Sequence, residues 1–138
     1  MVLIKLWKMP DTFKYRVREA ERQIFNDTTY GELAREIIRL LEGEPLGNRK
    51  EKYVTLGTDQ LLKYIENLKY IEKNNYEVIS KYKLGALIAC VLEKVGAKYE
   101  SNVRRSGTRY RALITRKNLD ALAGFKLRVD KFIDKITL

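Results

Sequence analysis

Apolar residues recur at helical spacing along most of this chain, and the spacing turns to alternation only near residue 98. Over residues 11–26, Phe13, Val17, Ala20 and Ile24 lie four, three and four apart, one stripe of an amphipathic helix whose opposite side is charged. In TTYGELAREIIRLLEG, Thr29 and Glu32 have the form of a capping box, Tyr30, Leu33, Ala34, Ile37, Leu40 and Leu41 supply a buried face, and Gly43 ends the helix. Residues 44–57 read as a loop with a short strand at 53–56. Thr58 is the expected N-cap of a helix carrying Leu61, Leu62, Ile65, Leu68 and Ile71, which Asn74 and Asn75 stop. After an extended link at YEVI, Ser80 opens the helix with the clearest period, through Leu84, Leu87, Ile88, Val91, Leu92 and Val95, and Gly96 closes it.

Beyond Gly96 the residues KYESNV and RYRALI alternate as strands around RRSGT, where Gly107 supplies the positive φ of a hairpin. Thr115 can open a last helix with Leu119, Leu122, Val129, Phe132, Ile133 and Ile136 apolar and Gly124 a weak point near its middle. The expected fold class is therefore α+β, mainly α with a small β-hairpin. Its parts are an N-terminal arm and helical extension over 1–57, a core over 58–114, and a C-terminal helix over 115–138, all packed as one domain.

Composition narrows the picture. A chain of 138 residues can bury a core without staples, and the single Cys90 cannot close an intramolecular disulfide, which fits a reducing, intracellular and cytoplasmic setting. The opening MVLIKLWKMP is too short an apolar run to span a bilayer and reads as a strand or packed arm, so no membrane partner is expected. With no histidine, histidine-dependent triads and histidine metal sites are excluded, and no metal or cofactor is expected.

Twenty-eight basic against 18 acidic residues give a formal charge of +10, which draws a chain towards polyanions. An abundance of Lys, Glu, Ile and Tyr also fits a thermophile surface laced with ion pairs, and that alternative predicts scattered charge. The distribution is not even. Between Lys94 and Lys117 the basic residues are Lys94, Lys98, Arg104, Arg105, Arg109, Arg111, Arg116 and Lys117, and Glu100 is the sole acid, whereas residues 14–39 interleave both signs.

Helix, connector, helix and basic hairpin, in the stretch SKYKLGALIACVLEKVGAKYESNVRRSGTRYRALI, resemble a winged helix-turn-helix DNA-binding module. The likeness covers residues 58–114 and rests on Ser80, the Leu84-Gly85 pair, the LEKVGAKY exit and the TRYRALI ending. It is similar in particular to small archaeal and archaeal-virus regulators and to the module that ends phage and poxvirus-type primase-helicases. The resemblance implies that the helix over 81–95 enters the major groove by its first turn while the wing follows the backbone or the minor groove. Ser80, Lys81, Tyr82 and Lys83 would then be the groove contacts, and Lys98, Arg104, Arg105, Arg109 and Arg111 the wing contacts, with double-stranded DNA as partner.

Three points stay open at this level. Gly85, Ala86 and Ala89 on the same helix fit either close approach of the backbone to DNA or close packing of another helix. Tyr99 and Tyr110 fit base stacking or sheet packing. The apolar stripe over 116–136 fits a homodimer contact or the chain's own core. No phosphate-binding glycine loop, nucleophile elbow or tight acidic cluster is present, so a binder and not an enzyme is expected; the nearest catalytic candidate is Tyr110 between Arg109 and Arg111. A DNA regulator is the leading expectation, with a sequence-blind DNA-coating or virion protein and an RNA target as alternatives.

Overall fold

Each helix of this chain is cut out by local chemistry that the chain supplies itself. The computed structural model describes residues 10–71, 81–105 and 107–137, with the side chains of 67–71, 81, 82, 136 and 137 outside that description. Helix α1 (Asp11–Ile24) leads through a tight turn into α2 (Thr28–Glu42), followed by strand β1 (Glu51–Gly57), helices α3 (Thr58–Ile71) and α4 (Lys81–Lys94), the hairpin strands β2 (Lys98–Arg104) and β3 (Gly107–Thr115), and the long α5 (Arg116–Thr137). The fold is α+β and mostly helical, as its spacing predicts, but the sheet has three strands and not two. β3 lies in the middle, antiparallel to both neighbours, in the order β1-β3-β2. Strand β1 extends beyond the short strand expected at 53–56, so the division at residue 57 falls between a strand and the sheet that holds it.

The caps show which polar groups the backbone selected. Asp27, not Thr29, caps α2: its carboxylate accepts from the Thr29 N–H at 2.8 Å. Thr58 does not cap α3, because its hydroxyl accepts instead from the Thr108 N–H of β3 at 3.1 Å. Gln60 serves that terminus, accepting from the Gly57 N–H at 2.7 Å. At α5 the Thr115 hydroxyl accepts from the Asn118 N–H while the Asn118 side-chain oxygen accepts from the Thr115 N–H, a reciprocal box. Gly96, with φ of 69°, closes α4 in the left-handed region. The stop at Asn74 and Asn75, the YEVI link, Ser80 and the opening MVLIKLWKM lie outside the described residues.

One hydrophobic core runs from Ala20 to Ile133 and draws on every helix and strand. Helix α4 is its centre: each residue from Leu84 to Leu92 is buried. Helix α1 lies along α4 and α2 lies along α5. The apolar stripe of α5, Leu122, Phe125, Val129 and Ile133, is buried in this way, and Phe25 meets both Phe125 and Phe132 edge-on at 6.1 and 6.2 Å. Of the two readings of the stripe over 116–136, packing in the chain's own core is the one these residues show. Among the described residues no helix is long and apolar enough to cross a membrane.

Gly124 does not break α5. Its position is solvent-exposed, and a Cβ placed there meets nothing within 4 Å. Gly124→Ala should therefore stabilise the fold by about 0.5–1 kcal/mol, through the lower backbone entropy of the unfolded chain. Urea unfolding checks this, and an unchanged or lowered midpoint would show that α5 has a local geometry only glycine tolerates.

Candidate nucleic-acid interface

Alternation along three paired strands sorts the cationic residues onto one side of the sheet. The β3 register sets Arg111 opposite Thr55 and Glu100, Arg109 opposite Gly57 and Asn102, and Leu113 opposite Tyr53 and Lys98. Residues directly opposite share a face, so the outward face carries Tyr53, Thr55, Lys98, Asn102, Arg104, Arg109 and Arg111. Its carboxylates are Glu100 and, at the end remote from the hairpin tip, Glu51. The inward face carries Leu56, Tyr99, Tyr110, Ala112 and Ile114, all buried.

Little neutralises the outward face. Glu100 reaches Arg111 only at 3.9 Å, a pair worth little in water. The Arg111 guanidinium lies instead over the Tyr53 ring, 4.3 Å from its centroid. A shallow concavity of about 290 Å3 between Thr55, Glu100, Asn102, Arg104, Arg109 and Arg111 marks the middle of this face. The helices differ: Arg22 pairs with Glu19, Arg35 with Glu32 and Asp130, and Arg39 with Glu36. Within the basic stretch, Lys94 pairs with Glu21, and Arg116 donates to the Gly47 carbonyl. The remaining cations of this stretch, Lys98, Arg104, Arg105, Arg109 and Lys117, are exposed, and Arg111 is half-buried.

The helical half of the expected site is arranged otherwise. Ser80 and the side chains of Lys81 and Tyr82 are outside the described residues, and Lys83 is exposed beside Arg16, Glu19 and Gln23 of α1. Gly85, Ala86 and Ala89 are buried, not bare, because α1 covers α4. Small residues there serve helix packing. Gly85 also has a partner of its own, since the Tyr110 hydroxyl donates to its carbonyl at 3.1 Å and a Cβ would stand 3.1 Å from that oxygen. Tyr110 thereby ties the inward face of β3 to α4. Arg109 and Arg111 lie on the face of the sheet turned away from α4, whereas Arg104 and Arg105 at the hairpin tip line a cleft together with Gly85 of α4.

Tyr99 and Tyr110 are sheet packing, not a stacking platform, with ring centroids 6.1 Å apart. Burial pushes the Tyr110 phenol up to about 12, the opposite of what a nucleophile needs, and its hydroxyl faces away from Arg109 and Arg111. Burial raises Tyr99 as well, with the Glu93 carboxylate adding to it. Cys90 is pushed up to about 12 by burial, leaving an inert thiol. Among the described residues no group of three or more possible metal ligands comes together. The residue that sequence reasoning missed is Tyr53. Its signal was present in the alternation of KYVTL, which puts Tyr53 and Thr55 opposite Lys52, Val54 and Leu56. Comparison with protein-family models, curated proteins and solved structures found no match to the chain.

The buried groups give the fold an alkaline limit. Cys90, Tyr99 and Tyr110 hold their protons more tightly folded than at their ordinary values of 9.0 and 10.0. The folded chain therefore binds more protons than the unfolded one from about pH 9 to about pH 12, and stability is lost as pH rises through that window. Lys52, lowered by burial, opposes this only in part. Urea midpoints should be flat up to about pH 8.5 and fall above it. Tyr110→Phe should cost about 1 kcal/mol near neutrality and make the alkaline decline shallower; an unaltered slope would mean that this phenol ionises freely in the folded chain.

Proposed function

We propose that this chain binds duplex DNA through the outward face of its sheet and the tip of its hairpin, as a winged-helix type of transcriptional regulator. The observation that carries this reading is the set Lys98, Arg104, Arg109 and Arg111 on one sheet face with a single carboxylate, Glu100, near them at 3.9 Å. A merely solvated, ion-paired surface of the kind on α1 and α2 would have interleaved acids here. The order α3, α4, β2, β3 with a basic hairpin supports the likeness to winged helices, and β1 adds a strand that widens the cationic face. Arginine suits this use because its planar fork grips phosphate oxygens in pairs. Tyr53 and Asn102 are the uncharged members of the face able to meet a sugar or base edge.

A second reading, sequence-tolerant coating of DNA, is favoured by one observation. The face of α4 with Gly85, Ala86 and Ala89 lies under α1, so contacts fall mainly to groups that read phosphate, not base edges. A regulator should prefer its operator by about 4–10 kcal/mol over random duplex. A coating protein should show a fixed spacing along any duplex and no such preference.

The test is the salt dependence of binding to duplex DNA, with single strands and duplex RNA as competitors. Arg109→Ala with Arg111→Ala should reduce the slope of log K against log salt by about two, and Arg104→Ala with Arg105→Ala should do the same. Lys94→Ala, at a cation already paired with Glu21, should leave the slope unchanged. If both double variants bind as the unchanged chain does, the sheet face is not the interface, and stronger competition by duplex RNA would move the target to RNA.

A further inference from the structure

The hairpin tip has an inward side too, and there it forms a cleft with the first turns of α1. The cleft has a volume of about 490 Å3, within the range of small-molecule sites. Pro10, which precedes α1, Phe13 of α1 and Val103 of β2 give it apolar walls, and Val103 is 81% exposed, a large aliphatic group left open to solvent. Arg16, Arg104 and Arg105 surround it with positive charge, and among the described residues that line it there is no carboxylate. Ser101 and Thr108 add hydroxyl groups, while Gly85 and Tyr110 close the floor with their own hydrogen bond.

Three guanidinium groups around apolar walls select a ligand that joins several negative charges to a flat or apolar body. A free phosphate would leave Phe13 and Val103 unused, and a fatty acid would bring one charge to three cations. A cleft of about 490 Å3 has the size of a small-molecule site and not of a duplex. We propose that this cleft binds a nucleoside di- or triphosphate, base against Phe13 and Val103 and phosphates on Arg16, Arg104 and Arg105, and that its occupancy weakens DNA binding. The coupling has a concrete basis, since Arg104 borders both this cleft and the outward face of the sheet. Phosphates drawn to Arg104 and Arg105 from the inward side compete with DNA phosphates for the same charges. This regulatory half rests on the DNA-binding reading above, whereas the ligand site does not.

The test is titration of the full chain, without DNA, by a fluorescent N-methylanthraniloyl derivative of adenosine diphosphate. Saturable binding is expected, displaced by unlabelled adenosine diphosphate and displaced about tenfold less well, or worse, by inorganic pyrophosphate, which has the charges without the body. Arg16→Ala should weaken binding about tenfold. Val103→Glu, at an exposed position outside the core, should do so too by placing an acid among the arginines. Absence of saturable binding, equal displacement by pyrophosphate, or full affinity in both variants overturns the site. In a second arm, saturating adenosine diphosphate should lower duplex affinity by about threefold or more; unchanged affinity overturns the regulation and not the site. A chain that fails to bind duplex at all refutes the DNA reading, while the first titration still decides the cleft.

Discussion

The pairing of β3 on both sides is the constraint from which the rest of this molecule follows. Because its neighbours are registered residue against residue, Tyr110, Ala112 and Ile114 must face the helices together, and Arg109 and Arg111 must face solvent together. A slip of one residue would drive two arginines into the core and expose an aromatic and an aliphatic side chain, so burial of the inward set enforces the outward display of charge. Side-chain links tie β3 to the helical layer. The Tyr110 hydroxyl grips the Gly85 carbonyl of α4, and the Thr58 hydroxyl at the start of α3 takes the Thr108 N–H. Core packing and charge presentation are therefore one decision of the fold.

Three uses of positive charge are visible among the described residues. On α1 and α2 it sits in ion pairs three residues apart, which support exposed helices. Around the end of α2 and the loop after it, it binds backbone carbonyls: buried Lys52 donates to Glu42 and Glu44, Arg49 to Pro45 and Leu46, and Arg116 to Gly47. At the sheet and hairpin tip it has little internal compensation apart from the Glu100–Arg111 pair at 3.9 Å. A net charge is uninformative about function until these uses are separated, and the separation depends on what each cation touches.

Helix positions, the hairpin and the left-handed Gly96 and Gly107 were legible in the sequence because each rests on spacing or on a single residue's backbone freedom. Cap identities were less so. Asp27, Thr28, Thr29 and Thr58 all offer side-chain oxygens, and the choice among them was made by tertiary contacts such as that of Thr58 with β3. The third strand was half visible, since a strand was expected near Tyr53 but its partner was not. Least legible was the surface of α4. Its period identified Leu84, Leu87, Ile88, Val91 and Leu92 as core, yet Ala86 and Ala89, on the other side, are small enough to suit either solvent or a second helix. Which applies depends on where α1 docks, a contact made across more than sixty residues of chain and encoded in no local pattern.

That docking also bears on how such a protein would read DNA. A helix buried at every position from 84 to 92 would offer a duplex mainly its first turn, where Lys83 is exposed and a helix dipole attracts phosphate without distinguishing bases. The sheet face is likewise rich in arginine and poor in groups that distinguish one base pair from another, with Asn102 and Tyr53 the exceptions. Discrimination on such a surface would come mainly from the shape of the duplex, because arginines fixed on a rigid sheet are favoured where a groove narrows and the phosphates approach their spacing. The rigidity itself is a product of the core beneath: guanidinium groups carried on the paired strands β2 and β3 hold their separation, so under the proposed function a duplex would have to deform to meet them.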